Sequence, residues 1–225
     1  MAGILYLVAT PIGNPEDITI RAVRILKEAD IVVYEERREG ARLLRRYGIE
    51  GKPVENLNEH NEPAASSIIL EKLREGKNIA LVSDGGTPVF ADPGQVLVQR
   101  AIAAGIRIVP VPGASSILPA LIVSGFPLQS FVFYGFLSPK RNRRITELQQ
   151  LKRDPRTIVI LETPYRLVQL MRDVSEVIGG LRKICVAFDL TLPTEEIFHG
   201  TAPDLYAGFQ KEGKKGEFVV VLGPG

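Results

Sequence analysis

Apolar residues in this chain come in short unbroken runs separated by stretches with helical spacing. Residues 4–9, Ile4-Leu5-Tyr6-Leu7-Val8-Ala9, form a continuous apolar run, as expected of a strand covered on both faces. The loop Thr10-Pro11-Ile12-Gly13-Asn14-Pro15 follows and is too rich in proline and glycine to be helical. Asp17 is a candidate N-cap for a helix whose apolar positions are Ile20, Val23, Ile25 and Leu26, and Asp30 ends it. Residues 31–34 predict a second strand, and residues 39–47 a basic, leucine-bearing helix closed by Gly48. A polar connection over 56–62 leads to a helix reaching Glu75 and stopped by Gly76. Strand 79–82, a Gly/Pro loop, a helix over 95–104 and strand 106–111 complete a repeated β-α rhythm, which is the signature of a mostly parallel sheet.

Pro112-Gly113-Ala114-Ser115-Ser116 then opens a short apolar helix, and the rhythm restarts after Gly125-Phe126-Pro127-Leu128. Strands at 131–136 and 157–162 enclose a basic loop and helix over 138–153, and a further helix covers 166–178. Closely spaced strands near 183–190, 195–199 and 217–222 predict a mixed sheet with antiparallel members. The chain therefore divides into two α/β domains, 1–118 and 119–225, which its 225 residues are enough to supply.

Composition narrows this picture only a little. The chain is 45% hydrophobic and 24% charged, as ordinary soluble domains are, and a formal charge of +2 does not by itself argue for nucleic acid. No run reaches the roughly 18–20 apolar residues that cross a bilayer. The N-terminus carries no basic segment followed by a cleavage site, so the expectation is a cytoplasmic protein without a membrane partner. The single cysteine, Cys185, sits in an apolar run and reads as a core thiol.

Candidate chemistry concentrates in loops at strand ends. Ser83-Asp84-Gly85-Gly86-Thr87-Pro88 follows the 79–82 strand, with Asp92-Pro93-Gly94 close behind. Glycine there admits a ligand close to the backbone, and open α/β sheets bind small molecules at such ends. As a purely structural turn, the same loop would use Asp84 as a helix cap. Residues 10–14 resemble a phosphate loop only superficially, since they lack the lysine of a nucleotide-triphosphate loop. Arginines group at Arg37, Arg38, Arg42, Arg45 and Arg46, and basic residues again at Lys140, Arg141, Arg143 and Arg144. Both groups fit phosphate-backbone contacts or, more plainly, solvated helix faces. His60 with Glu62 is too thin a pair for a metal site.

Leu5-Tyr6-Leu7-Val8-Ala9-Thr10-Pro11-Ile12-Gly13-Asn14, Glu59-His60-Asn61-Glu62, the Ser-Asp-Gly-Gly-Thr-Pro loop, Val111-Pro112-Gly113 and Glu162-Thr163-Pro164-Tyr165-Arg166 together carry a resemblance. Over essentially its whole length the chain resembles the tetrapyrrole methylase superfamily of class III S-adenosylmethionine-dependent methyltransferases. Within it, the chain is most similar to the bacterial enzymes that 2′-O-methylate a cytidine in 16S ribosomal RNA.

The resemblance implies two αβα domains, the first with a mostly parallel and the second with a mixed sheet, S-adenosylmethionine folded into the cleft between them, and a homodimer. It implies cofactor contacts by Thr10, Pro11, Ser83, Asp84, Gly85, Gly86, Thr87, Pro88, Gly113, Ser115 and Ser116, and 16S rRNA in a small-subunit particle as partner. A ribose 2′-hydroxyl is a weak acid, so a base or a polarising group would help. His60, Glu35 and Arg38 are the candidate catalytic residues, although Glu35 and Arg38 are equally explicable as an ion-pair network. The chain departs from the rRNA enzymes at Glu35-Glu36-Arg37-Arg38, where they usually carry Glu-Asp-Thr-Arg, and at Asp189-Leu190-Thr191-Leu192, where two basic residues are replaced. The alternatives are a methyltransferase acting on a small molecule such as a tetrapyrrole, and a cofactor- or RNA-binding module without turnover.

Overall fold

The computed structural model describes residues 2–180 and 182–225. They gather into two compact units, Met1–Ser115 and Ser116–Gly225. The first runs β1 (Ile4–Val8), α1 (Ile20–Glu28), β2 (Ile31–Tyr34), α2 (Arg37–Arg46), β3 (Val54–Asn56), α3 (Glu62–Arg74), β4 (Ile79–Val82), α4 (Gln95–Ala103) and β5 (Arg107–Val111). Its strands are all parallel in the order β3-β2-β4-β1-β5, with Val8 level with both Val82 and Val111.

Strands β2 and β4 are buried at every residue, because helices cover both faces of the sheet. Side chains alternate across it. Leu5, Val33, Ile79 and Leu81 pack on one face against Ile69, Leu73, Leu97 and Ala101 of α3 and α4. Val8, Val32, Ala80 and Val82 pack on the other against Ala22, Ile25, Leu26 and Leu44 of α1 and α2. Connections leaving the neighbouring strands β1 and β4 therefore cross opposite faces in opposite directions, which opens a crevice between their C-terminal ends.

Local details differ from the sequence expectation in three places. Asp17 does not cap α1; it ends a 3-10 turn, Pro15–Asp17, and Thr19 makes the cap by accepting from the amide of Ala22 at 3.1 Å. Ile20, one of the apolar positions of the expected helix, is 91% exposed at its first turn. Strand β3 was not expected at all: it is a three-residue edge strand in which only Val54 is apolar.

The second unit runs α5 (Ile117–Ser124), β6 (Phe131–Phe136), α6 (Arg141–Leu151), β7 (Thr157–Glu162), α7 (Leu167–Val177), β8 (Lys183–Phe188), β9 (Glu196–Thr201), α8 (Ala202–Glu212) and β10 (Phe218–Leu222). Its sheet is mixed, as the closely spaced strands predicted, in the order β6-β7-β10-β8-β9. Only the β6/β7 pair is parallel. Gly125, at the expected break in rhythm, closes α5 in the left-handed conformation at φ 69°. Central β10 is buried throughout, and each of its valines contributes about 1.5–3 kcal/mol of apolar burial.

Two buried arginines brace this unit. Arg182 donates to the carbonyls of Leu151 (3.0 Å), Arg156 (2.6 Å) and Gly223 (2.6 Å), so its charge is fully hydrogen-bonded. Arg144 of α6 meets the fully buried Asp173 of α7 at 2.7 Å. Cys185 is buried in β8, and desolvation pushes its thiol up to about 11, which suits a packing role.

Candidate functional site

The loops that leave β1, β4 and β5 are stitched together at the C-terminal edge of the parallel sheet. Thr10 and Gly86 exchange both backbone hydrogen bonds at 2.9 Å, a single antiparallel bridge across the crevice. The Thr10 hydroxyl donates to the Ser83 carbonyl at 3.1 Å, and the Ser83 hydroxyl donates to the Gly86 carbonyl at 3.0 Å. Thr87 reaches the third loop, donating to the Ala114 carbonyl at 3.3 Å.

Small residues make this closeness possible. Gly86 sits at φ 90°, and a Cβ there would come within 3.3 Å of Ile12. A Cβ on Gly113 would meet Ala9 at 3.0 Å. Gly85, by contrast, is open: a Cβ there would find its nearest neighbours, Pro11 and Ile12, only at 3.7–3.8 Å. Val89 holds φ 71°, a strained setting for a β-branched residue, and packs against Gly94. Ser115 is half-buried, and Ser116 begins α5 without a side-chain capping bond.

Around this backbone frame lies a group of carboxylates. Glu35 follows β2, and Asp84 and Asp92 belong to the loop after β4; the amide of Glu36 donates to Asp84 at 3.3 Å. Burial raises the Glu35 carboxyl to about 7, helped by the negative charges of Asp92, Asp84, Glu36 and Glu59. Asp84 and Asp92 are raised as well, mainly by partial desolvation. The charges of Glu36 and Glu39 add to that at Asp84, and the charge of Asp84 adds to it at Asp92; the Glu36 amide and Arg42 oppose it at Asp84 and the Ser83 side chain at Asp92.

The neighbouring loop is held to the same edge by asparagines. Asn56 donates to the carbonyls of Glu35 and Tyr34, while Asn58 and Asn61 both donate to its side-chain oxygen at 2.9 Å. His60 projects from this loop with its side chain 86% exposed and Nε2 3.4 Å from Glu59. Glu62, its neighbour in the sequence motif, turns away and accepts from the amides of Gly94 and Val96, capping the start of α4.

The structure thus brings Thr10, residues 83–88 and Gly113 together and sets Glu35 near Asp84 and Asp92, while His60 and Arg38 stand in solvent. Sequence reasoning missed the part played by Asp92 and the asparagine network; the spacing Asn56, Asn58, Asn61 was its only visible trace.

The two basic groups fare differently. Arg38, Arg42, Arg45 and Arg46 recur at helical spacing and form one exposed stripe on α2. In the group at 140–144 the arginines already have carboxylate partners. Arg144 is buried on Asp173, Arg141 bonds Asp173 and Glu176, and Arg143 pairs with Glu147 at 3.2 Å.

A parallel sheet with a glycine-rich crevice at its switch point belongs to the α/β proteins that hold a small ligand at strand ends. Residues 4–206 match the family of tetrapyrrole (corrin/porphyrin) methylases. The chain is 43% identical over 220 residues to ribosomal RNA small subunit methyltransferase I of Thermotoga maritima, covering 98% of each chain. It is 43% identical over 220 residues to the protein of the same name from Synechocystis, covering 98% of this chain and 78% of that one. Uroporphyrin-III C-methyltransferase from Thermus thermophilus, solved with S-adenyl homocysteine, shares the fold. Its TM-score is 0.63 at 23% identity, covering 98% of this chain and 97% of that one. The chain belongs to the tetrapyrrole methylase family.

Proposed function

We propose that this chain, a methyltransferase that uses S-adenosylmethionine, methylates the 2′-oxygen of a cytidine ribose in 16S ribosomal RNA. The observation that carries the reading is the exposed arginine stripe on α2, which starts three residues beyond Glu35 and so runs from the candidate site outward. Together with similarity to small-subunit rRNA methyltransferases over nearly the whole chain, it supports RNA over a tetrapyrrole as acceptor.

The residues fit the donor. Gly85 leaves open backbone where a side chain would stand, and Asp84, Asp92 and Glu35 repel one another in a way that a bound cation relieves. S-adenosylmethionine supplies an electrophilic methyl group on a sulfonium, and in the transfer the new O–C bond forms as the C–S bond breaks. Thr10, Pro11, Ser83, Asp84, Gly85, Gly86, Thr87, Pro88, Gly113, Ser115 and Ser116 would hold and orient the donor, with Asp84 facing its positive charge. Glu35 would accept the 2′-hydroxyl proton. It is half ionised near neutral pH, whereas His60 lies out in solvent. Arg38 would hold the phosphate next to the acceptor.

No helix among the described residues is long and apolar enough to cross a membrane. On this reading the enzyme acts in the cytoplasm on a small-subunit particle, as a homodimer by its resemblance to the rRNA enzymes. The test offers labelled S-adenosylmethionine with 30S subunits and, separately, with a tetrapyrrole. Label in the RNA fraction is expected, and label in the tetrapyrrole alone overturns the reading.

A further inference from the structure

Beside the arginine stripe, α2 borders a cavity of about 360 Å³ that plays no part in the donor site. One wall is the helix flank Arg37, Ala41 and Arg45, at i, i+4 and i+8. The opposite wall is the turn Glu50-Gly51-Lys52 with Val54 of the edge strand β3. Tyr34, Leu44 and Ile49 close the floor. Ala41 presents only a methyl group to this space, and Gly51 in the opposite wall is left-handed, at φ 63°.

The charges of this cavity are unbalanced. Arg37 and Arg45 are exposed and have no carboxylate partner among the described residues; of the stripe, only Arg42 pairs, with Glu39. Lys52 is committed elsewhere, donating to the carbonyls of Lys27 and Ala29 at the end of α1. Glu50 is the one carboxylate on the lining. An occupant must therefore bring negative charge for two guanidiniums and a flat apolar body for the surface between Ala41 and Val54. A free inorganic anion has no use for that apolar surface. The volume lies in the range of small-ligand pockets.

We propose that this cavity takes one unpaired nucleotide of the RNA substrate, with its phosphate on Arg37 and Arg45 and its base against Ala41 and Val54. The inference rests on RNA being the substrate. Arg37 opens the cavity two residues after Glu35, so the nucleotide bound here flanks the one being modified, and the strand continues along Arg38, Arg42 and Arg46. A splayed single-stranded base is also the form in which RNA exposes both a phosphate and an apolar face.

The test uses the full chain and a fluorescent, thiouridine-containing single-stranded RNA. Removing both arginines (R37A/R45A) is expected to weaken binding by at least about tenfold. It also flattens the plot of log affinity against log salt by about 0.7, the value for one phosphate on a single strand. A control on α1 that removes the same charge (R21A/R24A) should change affinity less than about twofold. Ala41→Trp fills the cavity without touching charge, and should weaken binding while leaving the salt slope unchanged. Photo-crosslinks in the unaltered protein should map to peptides within residues 34–54. Equal losses in the α1 control, full affinity in Ala41→Trp, crosslinks only elsewhere, or equal retention of duplex RNA would each overturn the cavity. Ribose methylation of 30S subunits is read in parallel. Ribose label with an idle cavity refutes only this inference, RNA held in the cavity without ribose label refutes only the proposed reaction, and no RNA binding at all refutes both.

Discussion

Replacing Glu35 by glutamine keeps the shape of the side chain and removes its titration. In the folded protein this carboxyl ionises near 7 rather than at 4.5, because burial and the charges of Asp92 and Asp84 oppose its negative form. A raised carboxyl means that the folded state binds the proton more tightly than the unfolded chain does. Its contribution is therefore fully present below about pH 4.5 and is lost as pH rises through about 7. The full difference in proton affinity corresponds to ~3.4 kcal/mol, and partial exposure reduces it to about 1–2 kcal/mol. Urea unfolding of the wild type and Glu35→Gln at pH about 5 and about 8.5 measures it. The variant should gain about 1–2 kcal/mol on the wild type between the two conditions, being the more stable at high pH. A stability difference that is independent of pH, or that favours the wild type at high pH, would refute the acidic cluster as described. In a methyl-transfer assay the same variant should bind S-adenosylmethionine and turn over slowly, and the wild-type rate should rise through about pH 7.

Three further substitutions probe other parts of the account. Asp84→Ala should weaken S-adenosylmethionine binding by at least about tenfold in calorimetric titration, and unchanged affinity removes Asp84 from the donor site. Asp173→Ala strands Arg144 as an unpaired buried charge, so thermal and urea unfolding should show a loss of about 3–5 kcal/mol; a loss under about 1 kcal/mol would mean that the pair is not buried in solution. Val89→Gly should leave stability within about 1 kcal/mol of wild type in urea, since relief of the left-handed backbone offsets the lost side chain and added chain entropy. A loss of several kcal/mol would show that the backbone at Val89 is unstrained.

The parts of this fold that could be read from the chain are those in which local pattern and final burial coincide. Residues 79–82 and 218–222 are unbroken apolar runs because both faces of those strands are covered, and the structure buries every one of their residues. Strand β3 escaped notice for the opposite reason. At the sheet edge, Val54-Glu55-Asn56 needs no apolar alternation, and it is held to β2 by backbone pairing and by the Asn56 side chain on the Tyr34 carbonyl. Thr19 and Asp17 are both competent caps in sequence, and only the intervening turn decides between them.

Charge was the least legible property. Arg38 and Arg144 look alike as basic residues in a sequence, yet one is exposed and the other is enclosed by a carboxylate 29 positions later in the chain. The glycine loop at 83–88 announced itself by composition. The Glu35, Asp84 and Asp92 group did not, because its members follow different strands and meet only through the order in which the sheet is assembled.

The most direct measurement of the central claim is the position of the transferred methyl group. The protein is incubated with labelled S-adenosylmethionine and 30S subunits from a strain lacking it, and the RNA is digested and mapped by mass spectrometry. The account predicts one label on the ribose 2′-oxygen of a cytidine in 16S rRNA, accumulating more slowly with Glu35→Gln. Label on a base, or no label from a protein that binds the donor, would contradict it.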